Sequence, residues 1–203
     1  MDNFYYSDLD HSYVLNGIKL PSVTEVLEAQ GLIDYSRVDD EVLKTSSSFG
    51  SNTHSAIKLY LRGNLDESSL DTAIRPYLDG VIKFCKDYEF LPIKIEQPVY
   101  SKLWRIAGTP DVIGLSKLGV TLPDWKSSTS IIPATAIQLA GYELIENEWR
   151  VPKMKIKHRV SVLLTGDGNY MPTFYKDKSD ATQFQSAVNN YLWRVKHNLI
   201  KRG

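Results

Sequence analysis

The stretch GTPDVIGLSKLGVTLPDWKSS (Gly108–Ser128) decides how the chain is read. Two short runs rich in Val, Ile and Leu flank a Ser116-Lys117-Leu118-Gly119 connection, which suits two strands joined by a tight turn. Asp111 stands at the start of the first run, and Asp124-Trp125-Lys126 closes the second. In a strand successive side chains face opposite sides, so Asp124 and Lys126 share a face while Trp125 points into packing. If the two runs pair antiparallel, Asp111 and Asp124 lie on neighbouring strands with an ammonium beside them. Salt-bridged strand ends would account for these residues. A second reading is chemical: two close carboxylates repel, and protonation, paired cations or a bound divalent ion relieves that cost. Hard oxygen ligands select Mg²⁺ or Mn²⁺ over zinc. Such an ion neutralises a phosphodiester and acidifies a bound water.

Working outward, YVL-NG-IKL around Asn16-Gly17 predicts a small N-terminal hairpin within residues 4 to 20. Ser22-Val-Thr-Glu25 fits a capping box for a short helix that Gly31 stops. FGSNTHSAIKLYLRG predicts a helix starting near Ser51 or Asn52 and ending at Gly63. Leu70 to Tyr88 repeats apolar residues at helical spacing, with Pro76 starting, kinking or splitting the helix. Strands are expected between Ile93 and Ser116, from Gly119 to Lys126 and from Met154 to Thr165. Pro133 opens a helix over ATAIQLAGYELIENEW, and Ser179-Asp180 caps a last helix with Phe184, Val188, Tyr191, Leu192, Val195 and Leu199 along one stripe. The order predicts an α/β (α+β) fold, a central mixed sheet flanked by helices. One domain is expected over 1–203, with a hairpin and helical part over 1–90 and the mixed-sheet core over 91–203.

The 203 residues carry 24 basic and 24 acidic side chains, so the formal net charge is zero and any nucleic-acid contact must come from a local patch. Cys85 is the one cysteine, which excludes an intrachain disulfide and a four-cysteine cluster. The opening MDNFYYSDLDHSYV lacks the basic start and apolar run of a signal peptide, and no apolar stretch is long enough to span a bilayer. A soluble, cytoplasmic protein with no membrane partner is expected, in the host cytoplasm if the source is viral.

Gly108-Thr-Pro-Asp111 followed by Asp124-Trp-Lys126 resembles the PD-(D/E)XK nuclease superfamily, whose signature is an acidic residue and then a (D/E)-x-K triplet on adjacent strands. Gln138-Leu-Ala-Gly-Tyr142 is similar to its Gln-x-x-x-Tyr helix, and Phe49-Gly-Ser-Asn-Thr-His54 to the upstream Gly-x-x-x-His segment of RecB-like and phage-type members. The resemblance implies a restriction-endonuclease-like core and a Mg²⁺- or Mn²⁺-dependent deoxyribonuclease acting as an exonuclease. It implies metal ligation by Asp111, Asp124 and the Trp125 carbonyl, with His54 as a further ligand or supporting group and Lys126 as catalytic lysine. Gln138 and Tyr142, four apart on one helical face, would brace the site or touch the DNA backbone. Glu96 resembles a glutamate on the preceding strand. Lacking the cysteines for an iron–sulfur cluster, the chain resembles the cluster-free branch. DNA is the implied partner, with a recombinase or annealing protein as a further one. An endonuclease, and a non-catalytic DNA-binding module on the same fold, stay open, as do polarity and oligomeric state.

Plainer readings stand beside these. His11, His158 and His197 lack motif context and are read as structural. Lys153, Lys155, Lys157 and Arg159 would share one face of the Met154–Thr165 strand, first as a solvated, charge-guarded edge and second as a rail for phosphates. Lys196, Lys201 and Arg202 suit a helix C-terminus at least as well as DNA contact.

Overall fold

The computed structural model describes residues 2–7, 9–34, 36 and 39–200. Three short antiparallel strands open the chain, β1 (Phe4–Ser7), β2 (Ser12–Leu15) and β3 (Ile18–Leu20). Asn16 and Gly17 turn β2 into β3 with φ of 51° and 79°, the left-handed pair that the two-residue hairpin turn requires. β1 adds a third strand to the expected hairpin.

The capping box then forms as read. Glu25 N donates to Ser22 Oγ at 2.9 Å and Ser22 N donates to Glu25 Oε2 at 3.3 Å, starting α1 (Val23–Ala29). The next helix, α2, runs Asp40–Leu61 and not from Ser51, because the Asp39 carboxylate caps it by accepting from the Glu41 and Val42 amides. The poor helix formers Thr45-Ser46-Ser47-Ser48 look like a loop in sequence, and the helix carries them regardless. In α3 (Arg75–Tyr88) Pro76 sits in the first turn, so it starts the helix, and Leu70 and Ile74 precede it.

Strands β4 (Leu91–Ile95), β7 (Val112–Ser116), β8 (Gly119–Lys126), β9 (His158–Leu164) and β10 (Tyr170–Tyr175) form the central sheet in the order β10-β9-β8-β7-β4. β8 and β9 are parallel and the other pairs antiparallel, so the sheet is mixed. A parallel pair needs a crossover, which α4 (Ala134–Trp149) supplies. Two further short strands, β5 (Val99–Ser101) and β6 (Ile106–Gly108), pair apart from the main sheet and carry the chain toward Asp111. The closing helix α5 spans Ser179–Lys196; it buries Phe184, Val188 and Tyr191, while Leu199 lies beyond it and exposed.

The strand expected from Met154 begins at His158, because Pro152–Met154 forms a single 3₁₀ turn. Lys153, Lys155 and Lys157 therefore do not line a strand face with Arg159. Arg159 itself is buried, with Glu143 Oε2 3.0 Å from Nε and Asp180 Oδ2 3.1 Å from Nη2, so it ties α4 to α5 beneath the sheet. The shared strand face expected of these four residues is corrected accordingly. β10 was not anticipated; a turn through Gly168, at φ 80°, returns the chain onto β9. Lys201 and Arg202 lie outside the described residues.

Helices cover both faces of the sheet. Ile113, Val120 and Leu122 pack with Leu139, Ile145, Phe184 and Val188 on the α4 and α5 side. Val112, Trp125, Val160 and Val162 pack with Ile57, Leu78, Val81 and Phe84 on the α2 and α3 side. β8 is thus buried on both faces, as strands beside a parallel crossover are. Strand alternation then sends Asp124 and Lys126 toward α4 and Trp125 toward α3, where its ring meets Phe84 edge-on at 5.3 Å.

Gly141 sets the approach of α4 to α5: a Cβ there would lie 2.7 Å from two carbons of the buried Phe184 ring. Alanine gains about 1 kcal/mol of helix propensity over glycine, but overpacking a closed core costs about 1–3 kcal/mol. Gly141→Ala is therefore expected to lower stability in denaturant titration by about 1 kcal/mol or more, and an unchanged or higher midpoint would show that Phe184 yields freely.

Candidate functional site

Asp111 occupies the bend that leads into β7. Its carbonyl accepts from the Glu96 amide at 2.8 Å, and its Oδ2 accepts from the Trp125 amide at 2.9 Å. The carboxylate is thereby clipped onto the backbone of the neighbouring strand. Asp124, only 5% exposed, faces Lys126, whose ammonium donates to Oδ1 at 3.1 Å and stands 2.9 Å from Oδ2. Oδ2 is sealed from solvent and accepts no geometrically sound hydrogen bond. From the other side α2 delivers His54, whose Nδ1 lies 3.5 Å from Asp111 Oδ1. α2 is anchored there by the buried Thr53, Ala56 and Ile57.

Two carboxylates and two cations therefore share one corner. For Asp111, burial pushes the carboxyl up, but the charge and hydrogen bond of His54 outweigh it and hold it below the usual range. For Asp124, burial prevails, and the nearby Asp111 charge adds to it against the pull of Lys126, so its pKa is raised. The Asp111 charge in turn raises His54 to about 9 against the opposing effect of burial. Without another cation the corner keeps Asp111 charged, His54 protonated and Asp124 reluctant to ionise.

α4 contributes Gln138 and Tyr142 one turn apart. Tyr142 is buried, and burial foremost, with the Asp111 and Asp124 charges, pushes its phenol upward. The ring fits only because residue 108 is glycine, since a Cβ there would stand 2.6 Å from it. Gln138 Nε2 reaches Thr24 Oγ1 at 3.5 Å, at the limit of a hydrogen bond. Glu96 has φ of 41° and pairs through Oε2 with Lys58 Nζ at 2.7 Å, one helical turn beyond His54. Thr24 and Lys58 escaped the sequence reading; Lys58 was accessible as the fourth residue after His54 on the same helix, whereas nothing local marks Thr24.

His54, Trp125, Lys126 and Gln138 line an open cleft of about 660 Å³ between α2, the loop after β8 and the start of α4. Asp111, Asp124, Lys126 and His54 are brought together, Glu96 and Tyr142 border them, and Lys153, Lys155, Lys157 and Arg159 are not among the lining residues. Among the described residues no three His, Cys, Asp or Glu side chains form a ready metal cage. The donor set nevertheless suits a hard divalent ion: two carboxylates compensated from within the protein, one of them holding a buried oxygen without a hydrogen bond.

No family model and no curated protein matches the sequence. The fold is similar to that of an alkaline exonuclease from Laribacter hongkongensis, at TM-score 0.49 and 11% identity, covering 87% of this chain and 88% of that one. An exonuclease candidate from Eubacterium rectale aligns at TM-score 0.48 and 11% identity, over 92% of this chain and 79% of its own. The Laribacter hongkongensis protein in complex with dAMP aligns at TM-score 0.42 and 12% identity, over 88% and 89%. These likenesses concern the chain trace. No helix among the described residues is long and apolar enough to cross a membrane.

The raised His54 pKa gives the site a titration signature. A histidine whose folded pKa lies above its unfolded value of about 6.5 contributes stability that is complete below that value and lost as pH climbs through the folded one. In metal-free protein His54 is expected to titrate by NMR near 9, and Asp111→Asn to bring it back toward the ordinary range. A wild-type His54 titrating near 6.5 would contradict the pairing.

Proposed function

We propose that this chain is a Mg²⁺- or Mn²⁺-dependent deoxyribonuclease, an exonuclease of RecB-like or phage type in the PD-(D/E)XK superfamily. The observation that carries the reading is the meeting of Asp111 and Asp124 from adjoining strands with Lys126 Nζ 2.9 Å from Asp124. Asp111, Asp124, the Trp125 carbonyl and His54 would hold the metal. When bound, it supplies charge neutralisation at the phosphoryl group and a water acidic enough to attack.

The protein's own residues supply the rest. Lys126 carries a positive charge at the open side of Asp124, 27% exposed, where it orients the attacking water and balances charge building on phosphorus. His54 keeps Asp111 ionised and turned toward β8. Tyr142, packed against Gly108, fixes the distance between α4 and the entry to β7. Trp125 closes the opposite face against Phe84 and keeps water from the back of the site.

A second reading has its own observation in favour. Lys126 and His54 already compensate the two acids internally, as they would in a DNA-binding module that never turns over. Incubation of linear and closed-circular DNA with Mg²⁺, Mn²⁺ or EDTA, beside Asp124→Ala, separates the two. Loss of linear DNA alone, blocked by EDTA and by the substitution, is the expected result. Cutting of both forms would mark an endonuclease, and no cutting of either would favour the binding module.

Lys126→Ala distinguishes the roles within the site, because the ammonium is not a ligand. Calorimetry is expected to find divalent-metal affinity retained or raised while turnover drops by about 10²-fold or more. A loss of metal affinity as large as that of Asp124→Ala would assign Lys126 the wrong part.

A further inference from the structure

Three side chains at the C-terminal end of α2 cross to the strand ends beside Asp111. His54, Lys58 and Arg62 are spaced four apart, so they stack on one face of the helix. Each makes its own contact. His54 Nδ1 lies 3.5 Å from Asp111 Oδ1, Lys58 Nζ lies 2.7 Å from Glu96 Oε2, and Arg62 Nη2 donates to the Ile95 carbonyl at 2.8 Å. The outer rungs hold a carboxylate and the end of β4, and the middle rung holds a strained residue.

Glu96 adopts φ of 41°, a left-handed backbone that a residue with a Cβ rarely takes. Such a conformation persists only where its surroundings over-determine it. Two contacts do so here: the Glu96 amide donates to the Asp111 carbonyl at 2.8 Å, and the Glu96 carboxylate is drawn to Lys58. The amide bond continues the β4–β7 pairing one step past Ile95 and Val112, so Glu96 and Asp111 stand opposite each other. Asp111 is tied at a second point, where its Oδ2 accepts from the Trp125 amide at 2.9 Å. A turn of the backbone at Glu96 moves the first of these ties, and the Asp111 carboxylate with it. Lys58 and Glu96 are not among the residues lining the cleft, so their pairing acts through the protein and not on a ligand there.

We propose that Lys58 is a positioning residue for the acid corner: its ammonium holds Glu96 in the left-handed conformation, and Glu96 in turn holds the Asp111 backbone so that the carboxylate stays on the Trp125 amide beside Asp124. The proposal rests on the nuclease reading for the metal that the corner would serve. A partly exposed ion pair contributes little to global stability, so the fold is expected to survive without Lys58. The effect falls instead on the metal ligand, where loss of an outer partner typically costs about 10- to 100-fold in affinity.

The test compares wild-type protein with Lys58→Met, which keeps the apolar stem and removes the charge, and with Lys58→Arg, which restores a cation. By calorimetry, Mn²⁺ affinity is expected to fall by about tenfold or more in Lys58→Met and to return in Lys58→Arg, with the denaturant midpoint unchanged. In a Glu96→Gln background Lys58→Met is expected to cause no further loss, because its action passes through the Glu96 carboxylate. Hydrogen exchange by NMR gives a second readout in metal-free protein: the Trp125 amide is expected to lose protection in Lys58→Met while the amides of β9 keep theirs. Unchanged Mn²⁺ affinity, a loss of protection spread evenly over the sheet, or an equal further loss in the Glu96→Gln background overturns the proposal. Failure of the nuclease reading looks different: wild-type protein would then bind no Mn²⁺. The Trp125 amide still decides in that case, since lost protection in Lys58→Met upholds the clamp and retained protection overturns it.

Discussion

The structure turns on the enforced closeness of Asp111 and Asp124. Neither acid would be stable so deep beside the other without compensation, since burying an uncompensated charge costs several kcal/mol even after relaxation. The fold supplies a cation to each, Lys126 from two residues along the same strand and His54 from a helix on another layer. The compensation is unequal. Asp111 gains a backbone donor as well as His54 and stays below the usual range, whereas Asp124 has Lys126 alone and is pushed upward by burial. That imbalance makes Asp124 the less well compensated of the two acids.

Much of the architecture follows from keeping this corner rigid. β8 is buried on both faces because α4 carries the crossover to β9, and that fixes which way its alternating residues point. Trp125 locks the strand from behind, and its own amide holds Asp111 in front. Gly108 gives Tyr142 the space to bring α4 against the start of β7. Arg159, read from sequence as a surface cation, instead joins α4 to α5 from inside the core. The protein spends one of its cations on rigidity where the strand period alone suggested a contact to DNA.

The acid corner was legible in the sequence because strand alternation is a local rule: Asp124, Trp125 and Lys126 had to face as they do once β8 formed. The capping box at Ser22 and the turn at Asn16-Gly17 were legible for the same reason. Long-range packing was not. The start of α2 was hidden because Thr45 to Ser48 are poor helix formers overridden by the cap at Asp39, and β9 was overextended because Pro152 breaks a run whose spacing looks like a strand. Lys58 meeting Glu96, Thr24 reaching Gln138 and Tyr175 bonding Ser161 all depend on how layers dock, which no periodicity encodes.

The most direct test is crystallographic: crystals soaked in Mn²⁺ and measured for anomalous scattering. One strong peak is expected between the carboxylates of Asp111 and Asp124, with Lys126 beside it and not bound to it. A peak only elsewhere, or none at saturating Mn²⁺, would mean that the internal cations satisfy the acids and that the corner is structural.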